Sequence, residues 1–266
     1  MNTPVEHHAT APWGEHAPSG LFASLLKLAR SGQNSVLARL TMWLAPKAND
    51  IETLGFKARL YPHDNLSEKR ALLTPGRFDP AELGYLSDHL KPGFNFIDIG
   101  ANCGVYTLHL ANKADMASKF VAVEPQPEML RRLQFNLAAN SLSSVTVRDV
   151  AISDAPGQVT FHVNDSNRGE SGLITDGEEI TVKAITLLEL MDTAAIERAD
   201  AIKIDVEGAE MRILTCFFDQ VPDIRWPDIL VLESLYSNDE RDPVALTMSK
   251  GYEIALDTGR NVILTR

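Results

Sequence analysis

Short apolar runs alternate with amphipathic segments along most of this chain. Most of the runs are continuous rather than interrupted by polar residues, which predicts strands buried on both faces of a sheet. They cover residues 94–99, 119–124, 144–151, 158–163, 180–185, 201–206 and 228–234. Between several of them, apolar residues recur every three or four positions, at residues 105–113, 126–140 and 207–218. Strands that alternate with helices predict an α/β fold with a mostly parallel sheet and helices on both faces.

The last two apolar runs, residues 252–256 and 262–265, are separated by a short segment that favours a turn. Gly259 and Asn261 lie at this point, and both residue types are common in turns. We therefore expect the chain to end in an antiparallel pair of strands.

The N-terminal third of the chain follows a different pattern. Residues 1–20 lack apolar periodicity and contain several prolines and histidines, which predicts a disordered tail. Residues 51–92 mix short strand-like and helical pieces. The sequence thus predicts a tail at 1–20, an N-terminal helical extension and cap at 21–92, and the main domain at 93–266.

The start of the extension, residues 21–45, has two interpretations. Leu21, Leu25 and Leu28 share one helical face, and a second amphipathic pattern follows after Gly32. An amphipathic helix most often covers a core, so packing against the main domain is the favoured interpretation. Peripheral contact with a membrane surface, or with a partner protein, is the alternative.

Composition and charge narrow the classes of function. The chain has 266 residues, a hydrophobic content of 44% and a net charge of −11, which argues against a general nucleic-acid-binding protein. No run of about eighteen apolar residues exists, so no membrane span is predicted. The two cysteines lack a metal-ligand spacing, and no signal-peptide pattern is present, which together favour a cytoplasmic protein.

The segment FNFIDIGANCGVYTLHLA, residues 94–111, is the most informative part of the sequence. An apolar run ends at Asp98, a turn follows with Gly100 and Gly104, and a helical pattern begins. A strand, a tight loop and a helix form the unit that holds a nucleoside-type cofactor at the carboxyl edge of a parallel sheet. Glu124 ends the next strand, where an acid can bind ribose hydroxyls.

Two cofactors compete for this loop. A dinucleotide-binding loop has the pattern G-x-G-x-x-G, whose second glycine admits a pyrophosphate. Here the glycines are spaced G-x-x-x-G, and Asp98 stands two residues before the first of them. An acid at this place suits the ammonium group of S-adenosylmethionine, so this cofactor is favoured over NAD.

A second motif, AIKIDVEGAE, covers residues 201–210. The strand delivers Asp205 to the same sheet edge, and Glu207 and Glu210 open the next helix. Acids at a helix N-terminus are common because they interact favourably with the helix dipole, and Glu210 is best explained in this way. Asp205 and Glu207 instead lie where ligands bind in open α/β sheets.

These motifs resemble those of the FkbM family of S-adenosylmethionine-dependent methyltransferases. The resemblance rests on FIDIGANCGVYTLHLA, VAVEPQPEMLRRLQFNLAAN and IKIDVEGAE, and it spans about residues 90–235. It implies a class I Rossmann-like methyltransferase fold with a mostly parallel seven-stranded sheet, in which the last hairpin supplies the reversed strand. It also implies O-methylation of a hydroxyl group.

The resemblance further implies a set of site residues. Those expected around the methionine part of S-adenosyl-L-methionine are Asp98, Gly100, Asn102 and Gly104. Those expected at its ribose and adenine are Glu124, Asp149, Val150 and Ala151. Asp205 is expected near the methyl group, and Glu233 either lines the acceptor site or satisfies the backbone at the sheet edge.

A hydroxyl acceptor must lose its proton during methyl transfer, and a carboxylate can accept it. We predict that Asp205 or Glu207 is this catalytic base. A Mg²⁺ site formed by Asp205, Glu207 and Glu233 is a rival interpretation. An NAD-linked oxidoreductase and a non-catalytic nucleoside-binding module are the alternative classes of function.

The resemblance leaves the acceptor open. A sugar, a lipid-linked glycan, a polyketide or another small metabolite would suit the predicted chemistry. We therefore expect a small-molecule or glycan acceptor and no nucleic acid.

Overall fold

The computed structural model describes residues 11–32, 35–163, 178–206, 208–233 and 242–266. Its strands are β1 Asn49–Thr53, β2 Phe56–Leu60, β3 Asn95–Ile99, β4 Lys119–Val123, β5 Thr146–Arg148, β6 Ala151–Ile152, β7 Gly157–Val163, β8 Glu178–Ile185, β9 Ala201–Ile204, β10 Ile229–Glu233, β11 Glu253–Asp257 and β12 Asn261–Thr265. Its α-helices are α1 Gly20–Ser31, α2 Ser35–Leu44, α3 Leu66–Leu73, α4 Pro80–Asp88, α5 Val105–Ala111, α6 Pro127–Ala139, α7 Leu187–Thr193, α8 Glu210–Gln220 and α9 Pro243–Ser249.

A seven-stranded sheet lies at the centre of the fold, with the strand order β11-β12-β10-β9-β3-β4-β5. The neighbours from β10 to β5 pair in parallel, whereas β12 runs antiparallel to both β10 and β11. A mostly parallel sheet with one reversed strand inserted near its edge is the class I Rossmann-like methyltransferase arrangement. The predicted fold class is therefore confirmed, including the antiparallel pair at the end of the chain.

The core lies on both faces of this sheet. Along β3, Phe96 packs into one cluster of buried residues and Ile97 into the other, because successive side chains of a strand point to opposite faces. Leu108 of α5 joins the first cluster, and Ile213 of α8 joins the second. Helices thus cover both faces, which explains why the strands of the sequence are continuous apolar runs.

The strand predicted at 144–151 is divided in two, and this part of the prediction was wrong. β5 pairs with β4 at the edge of the central sheet, and the chain leaves that sheet before β6. β6 then pairs with β8, which also pairs with β7, so that these three strands form a small separate sheet. The predicted strands at 158–163 and 180–185 exist as β7 and β8. The polar loop at 164–177 lies outside the described residues.

The N-terminal extension contains a hairpin as well as helices. β1 and β2 pair antiparallel, and the buried Arg59 of β2 binds Asp50 of β1 with its Nε 2.7 Å from Oδ1. The guanidinium of Arg59 also donates to the carbonyl oxygens of Ala11 and Pro12, each at 2.8 Å. The described part of the predicted tail, 11–19, therefore contacts the hairpin. The domain boundaries remain a prediction.

Candidate active site

A cavity opens at the carboxyl ends of β3, β4 and β9, and it has a volume of about 1150 Å³ when the solvent at its mouth is counted. Several of the residues predicted to bind the cofactor line this cavity, namely Asp98, Gly100, Asn102, Glu124, Val150 and Ala151. Asp205 lines it as well. The three strand ends meet here because the strands are parallel and adjacent. The cavity thus joins both sequence motifs.

Two glycines allow the loop after β3 to pass close to its neighbours. Gly100 has φ +77°, and a Cβ atom there would lie 1.9 Å from the carbonyl oxygen of Asp205. Gly104 begins α5 with φ +95°, and a Cβ atom there would lie 2.5 Å from Cδ1 of Leu133. Both conformations are rare for residues with a side chain. The backbone after β9 and the loop after β3 can approach each other this closely only because position 100 is glycine, whereas at position 104 the positive φ is what favours glycine.

Asn102 shapes the same loop. Its φ of +53° lies in the left-handed region, which Asn tolerates better than most residues. Its side-chain oxygen accepts hydrogen bonds from the Cys103 backbone N–H at 2.7 Å and from Nδ2 of Asn65 at 2.8 Å. The Asn102 side chain thus fixes the turn and ties it to the N-terminal extension.

Glu124 lies buried at the end of β4. Its Oε2 accepts the backbone N–H of Asn102 at 2.8 Å, and its Oε1 accepts that of Gln126 at 2.9 Å. Burial raises the pKa of Glu124 to about 7, although these two donors act in the opposite direction. Each carboxylate oxygen can accept more than one hydrogen bond, so the group can also receive hydroxyl donors from a ligand.

Asp98, Lys203 and Asp205 form a group of buried or half-buried charges in the cavity, here called the Lys203 cluster. Nζ of Lys203 lies 2.9 Å from Oδ2 of Asp205 and 3.8 Å from Oδ1 of Asp98. Oδ2 of Asp98 accepts the hydroxyl of Thr107 at 2.7 Å and its backbone N–H at 3.2 Å. Oδ1 of Asp98 is buried and has no hydrogen-bond donor among the described residues. The cluster therefore contains a buried acceptor without a donor, on a residue that lines the cavity.

The protonation of this cluster follows from its surroundings. Burial raises the pKa of Asp98, and the nearby Lys203 only partly offsets this effect. Burial would lower the pKa of Lys203, but the carboxylates of Asp205 and Asp98 outweigh it and raise that pKa. Lys203 is therefore a fixed cation at the centre of the cluster, and its Nζ also lies 5.1 Å from the ring centroid of Tyr106.

Asp205 is the most exposed acid of the cluster, with 32% of its side chain accessible. Glu207, the other predicted base, lies outside the described residues. Glu210 is buried and accepts the backbone N–H of Val206 at 2.9 Å, which agrees with its interpretation as a helix-start residue. Within the second motif, the described structure thus places Asp205 at the cavity and Glu210 in a structural contact.

The predicted adenine and acceptor residues have different surroundings. Val150 and Ala151 line the cavity beside Ile152 and Phe161, whereas Asp149 is exposed and is not among the lining residues. Glu233 is buried at the end of β10, and its Oε1 lies 3.6 Å from Nη2 of Arg260. Arg260 lines the cavity, so Glu233 reaches the site through this arginine.

Sequence reasoning missed several polar residues that line the cavity, among them Arg70, Asp79 and Tyr106. Arg70 of α3 and Asp79 form an ion pair at 2.9 Å, and the hydroxyl of Tyr106 donates to Asp79 at 3.1 Å. Asp79 has φ +41° and makes no side-chain cap on α4, although its place before Pro80 suggests one. Its strained backbone was not recognisable from sequence, because its two polar contacts join residues that are far from it along the chain.

Two other candidate catalytic residues, His109 and Cys103, have surroundings that indicate a structural role. Nδ1 of His109 lies 2.7 Å from the carbonyl oxygen of Leu54, and its Nε2 lies 2.9 Å from Nζ of Lys113. Cys103 is buried, and burial raises the pKa of its thiol. Within the part of the chain that the structure describes, no cluster of three His, Cys, Asp or Glu side chains could hold a metal ion. The rival Mg²⁺ site includes Glu207 and so is not tested.

Comparison with known proteins shows that this chain is similar to methyltransferases. The family model described as the methyltransferase FkbM domain matches residues 98–247. "Methyltransferase 1" of Beauveria bassiana is 27% identical over 184 residues, which cover 60% of this chain and 73% of that protein. The "Hexuronic acid methyltransferase AglP" of Haloferax volcanii is 26% identical over 185 residues, which cover 67% of this chain and 74% of that protein.

A solved structure of precorrin-6y C5,15-methyltransferase from Geobacter metallireducens has a TM-score of 0.46 and 14% identity. It covers 73% of this chain and 90% of its own. The sheet topology is that of the class I Rossmann-like methyltransferase fold. The match to the family model is more specific than the fold. Because it covers more than half of the chain, this chain belongs to the FkbM methyltransferase family.

No helix in the described ranges is both long enough and apolar enough to cross a bilayer.

Proposed function

We propose that this protein transfers a methyl group from S-adenosyl-L-methionine to a hydroxyl group of a small molecule or glycan. The observation that carries the proposal is that Asp98 lines the cavity and that its buried Oδ1 has no hydrogen-bond donor among the described residues. A buried acceptor of this kind is costly unless a ligand supplies the missing donor. The ammonium group of the cofactor is such a donor.

The other cavity residues suit the remaining parts of this cofactor. Glu124 would accept the ribose hydroxyls, and the apolar Val150 and Ala151, with Asp149 next to them in sequence, would flank the adenine. Gly100, Asn102 and Gly104 would surround the methionine part. When bound, the cofactor supplies an electrophilic methyl group on a sulfonium. Since that leaving group is already good, the main task of the chain is to align the acceptor.

Asp205 is our proposed proton acceptor. It lies at the cavity, it is the more exposed acid of the Lys203 cluster, and Nζ of Lys203 holds its Oδ2 at 2.9 Å. That hydrogen bond orients the carboxylate and leaves its other oxygen to receive the proton of an acceptor hydroxyl. Glu207 stays a second proposed base, on the evidence of the sequence motif alone.

The acceptor would enter at the end of the cavity lined by Arg70, Asp79, Tyr106 and Arg260. These polar side chains suit an acceptor that carries several hydroxyl groups. A relative named for methylation of a hexuronic acid supports a sugar acceptor for this chain. Glu233 is proposed to contribute through its contact with Arg260.

Calorimetry with S-adenosylhomocysteine tests the cofactor assignment, with NAD as the matched comparison. Binding of S-adenosylhomocysteine without binding of NAD is the expected result. Incubation with cell extract and S-adenosyl-L-methionine, followed by mass spectrometry, should then show an acceptor whose mass rises by the mass of one methylene. Binding of NAD alone would favour the oxidoreductase, whereas cofactor binding without any methylated product would favour the non-catalytic module.

A further inference from the structure

The charges of this chain are distributed unevenly. The whole protein has a net charge of −11, yet residues 18–49 contain no Asp or Glu. The same segment carries Lys27, Arg30, Arg39 and Lys47. It includes α1 and α2, here called the basic helix pair. Salt at 0.1 M screens charges that are more than about 10 Å apart, so an anionic surface close to this region is affected mainly by its local cations. The region is therefore expected to attract an anionic surface although the whole protein is acidic.

The basic helix pair also exposes large apolar side chains. On α1, Phe22, Leu26 and Ala29 are buried, while Leu21 and Leu28 are 67% and 56% exposed. The buried side chains agree with the packing interpretation of residues 21–45, but they account for only one face of the helix. The opposite face places leucines in solvent.

The second helix of the pair also exposes large apolar side chains. Val36 is 72% exposed, Leu40 46% and Trp43 78%. Their spacing of four and three residues places them on one helical face. The other exposed large apolar residues of the described chain are scattered along the sequence, at Leu66, Met116, Ile224, Met248 and Ile254. A run of exposed apolar residues on adjacent helices is typical of an interaction surface rather than of ordinary solvent contact.

The cations are arranged in a way that suits a lipid surface. Lys27, Arg39 and Lys47 are exposed, whereas Arg30 is half-buried and points towards the hairpin, with Nη2 3.2 Å from Oγ1 of Thr53. A groove beside α2 is lined by Arg39 and Trp43 together with His63 and Lys69. Lipid headgroups are recognised by such a mixture of cations and an interfacial tryptophan, next to apolar side chains that enter the acyl boundary.

The groove lies next to the candidate active site. Lys69 and Leu73 of α3 line the groove, while Leu66, Ser67 and Arg70 of the same helix line the cavity. One short helix therefore separates the two features. A surface that binds the basic helix pair would lie close to the entrance proposed for the acceptor.

We propose that the basic helix pair binds the surface of a membrane that contains anionic lipids. α1 and α2 have 12 and 10 residues, so they are long enough to lie on the surface and too short to cross it. A protein partner complementary to this region would need an acidic and apolar face, whereas an anionic bilayer offers both properties everywhere. The inference does not depend on the proposed function, because it uses none of the cavity residues except as neighbours.

Sedimentation of the full chain with vesicles tests the proposal. We expect binding to vesicles of phosphatidylcholine mixed with phosphatidylglycerol, little binding to phosphatidylcholine alone, and loss of binding at high salt. Trp43 is the most exposed of the three tryptophans, so binding should also shift the emission to shorter wavelength. Equal binding to both kinds of vesicle, or binding to neither, would overturn the proposal.

Two variants separate the apolar from the electrostatic contribution. Lys27→Glu with Arg39→Glu should weaken vesicle binding by about 25-fold or more, since each cation near such a surface is worth roughly fivefold. Leu28→Ser with Trp43→Ser should abolish the binding. Ile224→Ser is the matched control, because Ile224 is 78% exposed outside the pair, and it should bind like the wild type.

Two further measurements on the same variants test whether misfolding explains a loss of binding and whether the surface instead binds a second copy of the chain. Affinity for S-adenosylhomocysteine and the circular dichroism spectrum should stay unchanged in each variant if only the surface is altered. Light scattering should give the same mass for the wild type and for Leu28→Ser with Trp43→Ser. A dimer that this double variant dissociates, without vesicle binding by the wild type, would assign the surface to self-association and overturn the proposal.

Discussion

Two groups of buried charges lie close to the candidate active site, and they differ in how fully their hydrogen bonds are satisfied. In the first, here called the Arg132 cluster, Arg132 of α6 binds Glu68, Asp64 and Glu128 at 2.7, 2.7 and 2.8 Å. In the Lys203 cluster, Asp205 lies within hydrogen-bond distance of Lys203, whereas Asp98 lies 3.8 Å from its Nζ. The first cluster is closed, and the second opens into the cavity.

The closed cluster joins separate parts of the chain. Arg132 connects α6 to α3 through Glu68, which is fully buried and also accepts the backbone N–H of Tyr61. Burial would lower the pKa of Arg132, but the carboxylates of Glu68 and Asp64 outweigh it and raise that pKa. Every edge of the guanidinium is used by protein groups, so this cluster offers nothing to a ligand and has a structural role.

The open cluster has the opposite property. Asp98 keeps a buried oxygen without a donor among the described residues, and Asp205 remains partly exposed beside Lys203. A protein tolerates this cost where a ligand or a reaction uses the group. The comparison teaches that the incompleteness of a buried charge cluster, rather than its presence, indicates a functional site.

The largest effect is expected from Asp205→Asn, which removes the proposed base of the open cluster. Turnover on the acceptor identified by mass spectrometry should fall by about 10²- to 10⁴-fold, because general-base catalysis contributes that amount. Affinity for S-adenosylhomocysteine should stay nearly unchanged. Glu210→Gln is the matched control from the same motif, and it should keep its turnover. An unchanged rate for Asp205→Asn would refute the assignment.

Arg132→Met breaks the closed cluster and should affect stability rather than chemistry. Removal of one member of a buried ion pair costs about 3–5 kcal/mol, since Glu68 would be left buried without its cation. Arg131→Met is the control, because Arg131 forms an ion pair with Glu128 and is more exposed than Arg132, so we expect a cost below about 1 kcal/mol. Urea denaturation measures both values. Similar costs for the two variants would contradict the distinction between closed and open clusters.

Asp98→Asn tests whether the open cluster binds the cofactor. The amide oxygen can still accept the two donors of Thr107, but the negative charge that attracts an ammonium group is lost. Affinity for S-adenosylhomocysteine should fall by about 10- to 100-fold, the value of a hydrogen bond to a charged group. Calorimetry measures the change, with Asp115→Asn as a control outside the cavity. Wild-type affinity in Asp98→Asn would remove the main support for the cofactor assignment.

The smallest effect concerns Glu124 and pH. Its pKa in the ligand-free protein is raised by burial to about 7, and ribose hydroxyls would donate to its ionised form. Affinity for S-adenosylhomocysteine should therefore rise with pH up to about 7, by at most about tenfold per pH unit, and level off above it. Glu124→Gln should lose this pH dependence while binding more weakly. A wild-type affinity that increases as pH falls would contradict the proposed role.

The sequence alone predicted the fold class and the edge of the sheet at which the site lies. Its apolar runs defined the strands, and the positions of Asp98, Glu124 and Asp205 at the ends of three of them were visible without a structure. Because parallel neighbouring strands end at the same edge of the sheet, these acids were expected to lie close together. The turn at Gly100 and Gly104 was also recognisable, whereas the close approach of Asp205 to Gly100 appears only in the folded chain.

Other features were decided only by the tertiary structure. β6 leaves the central sheet to pair with β8, which no local pattern distinguishes from a continuous strand. The Arg70, Asp79 and Tyr106 contacts and the Arg132 cluster join residues that are distant along the chain. Which acid is satisfied and which remains open depends on such contacts, because burial and the missing donor are properties of the packed molecule. The sequence thus determined where the carboxylates gather, and the packing decided which of them can bind a ligand.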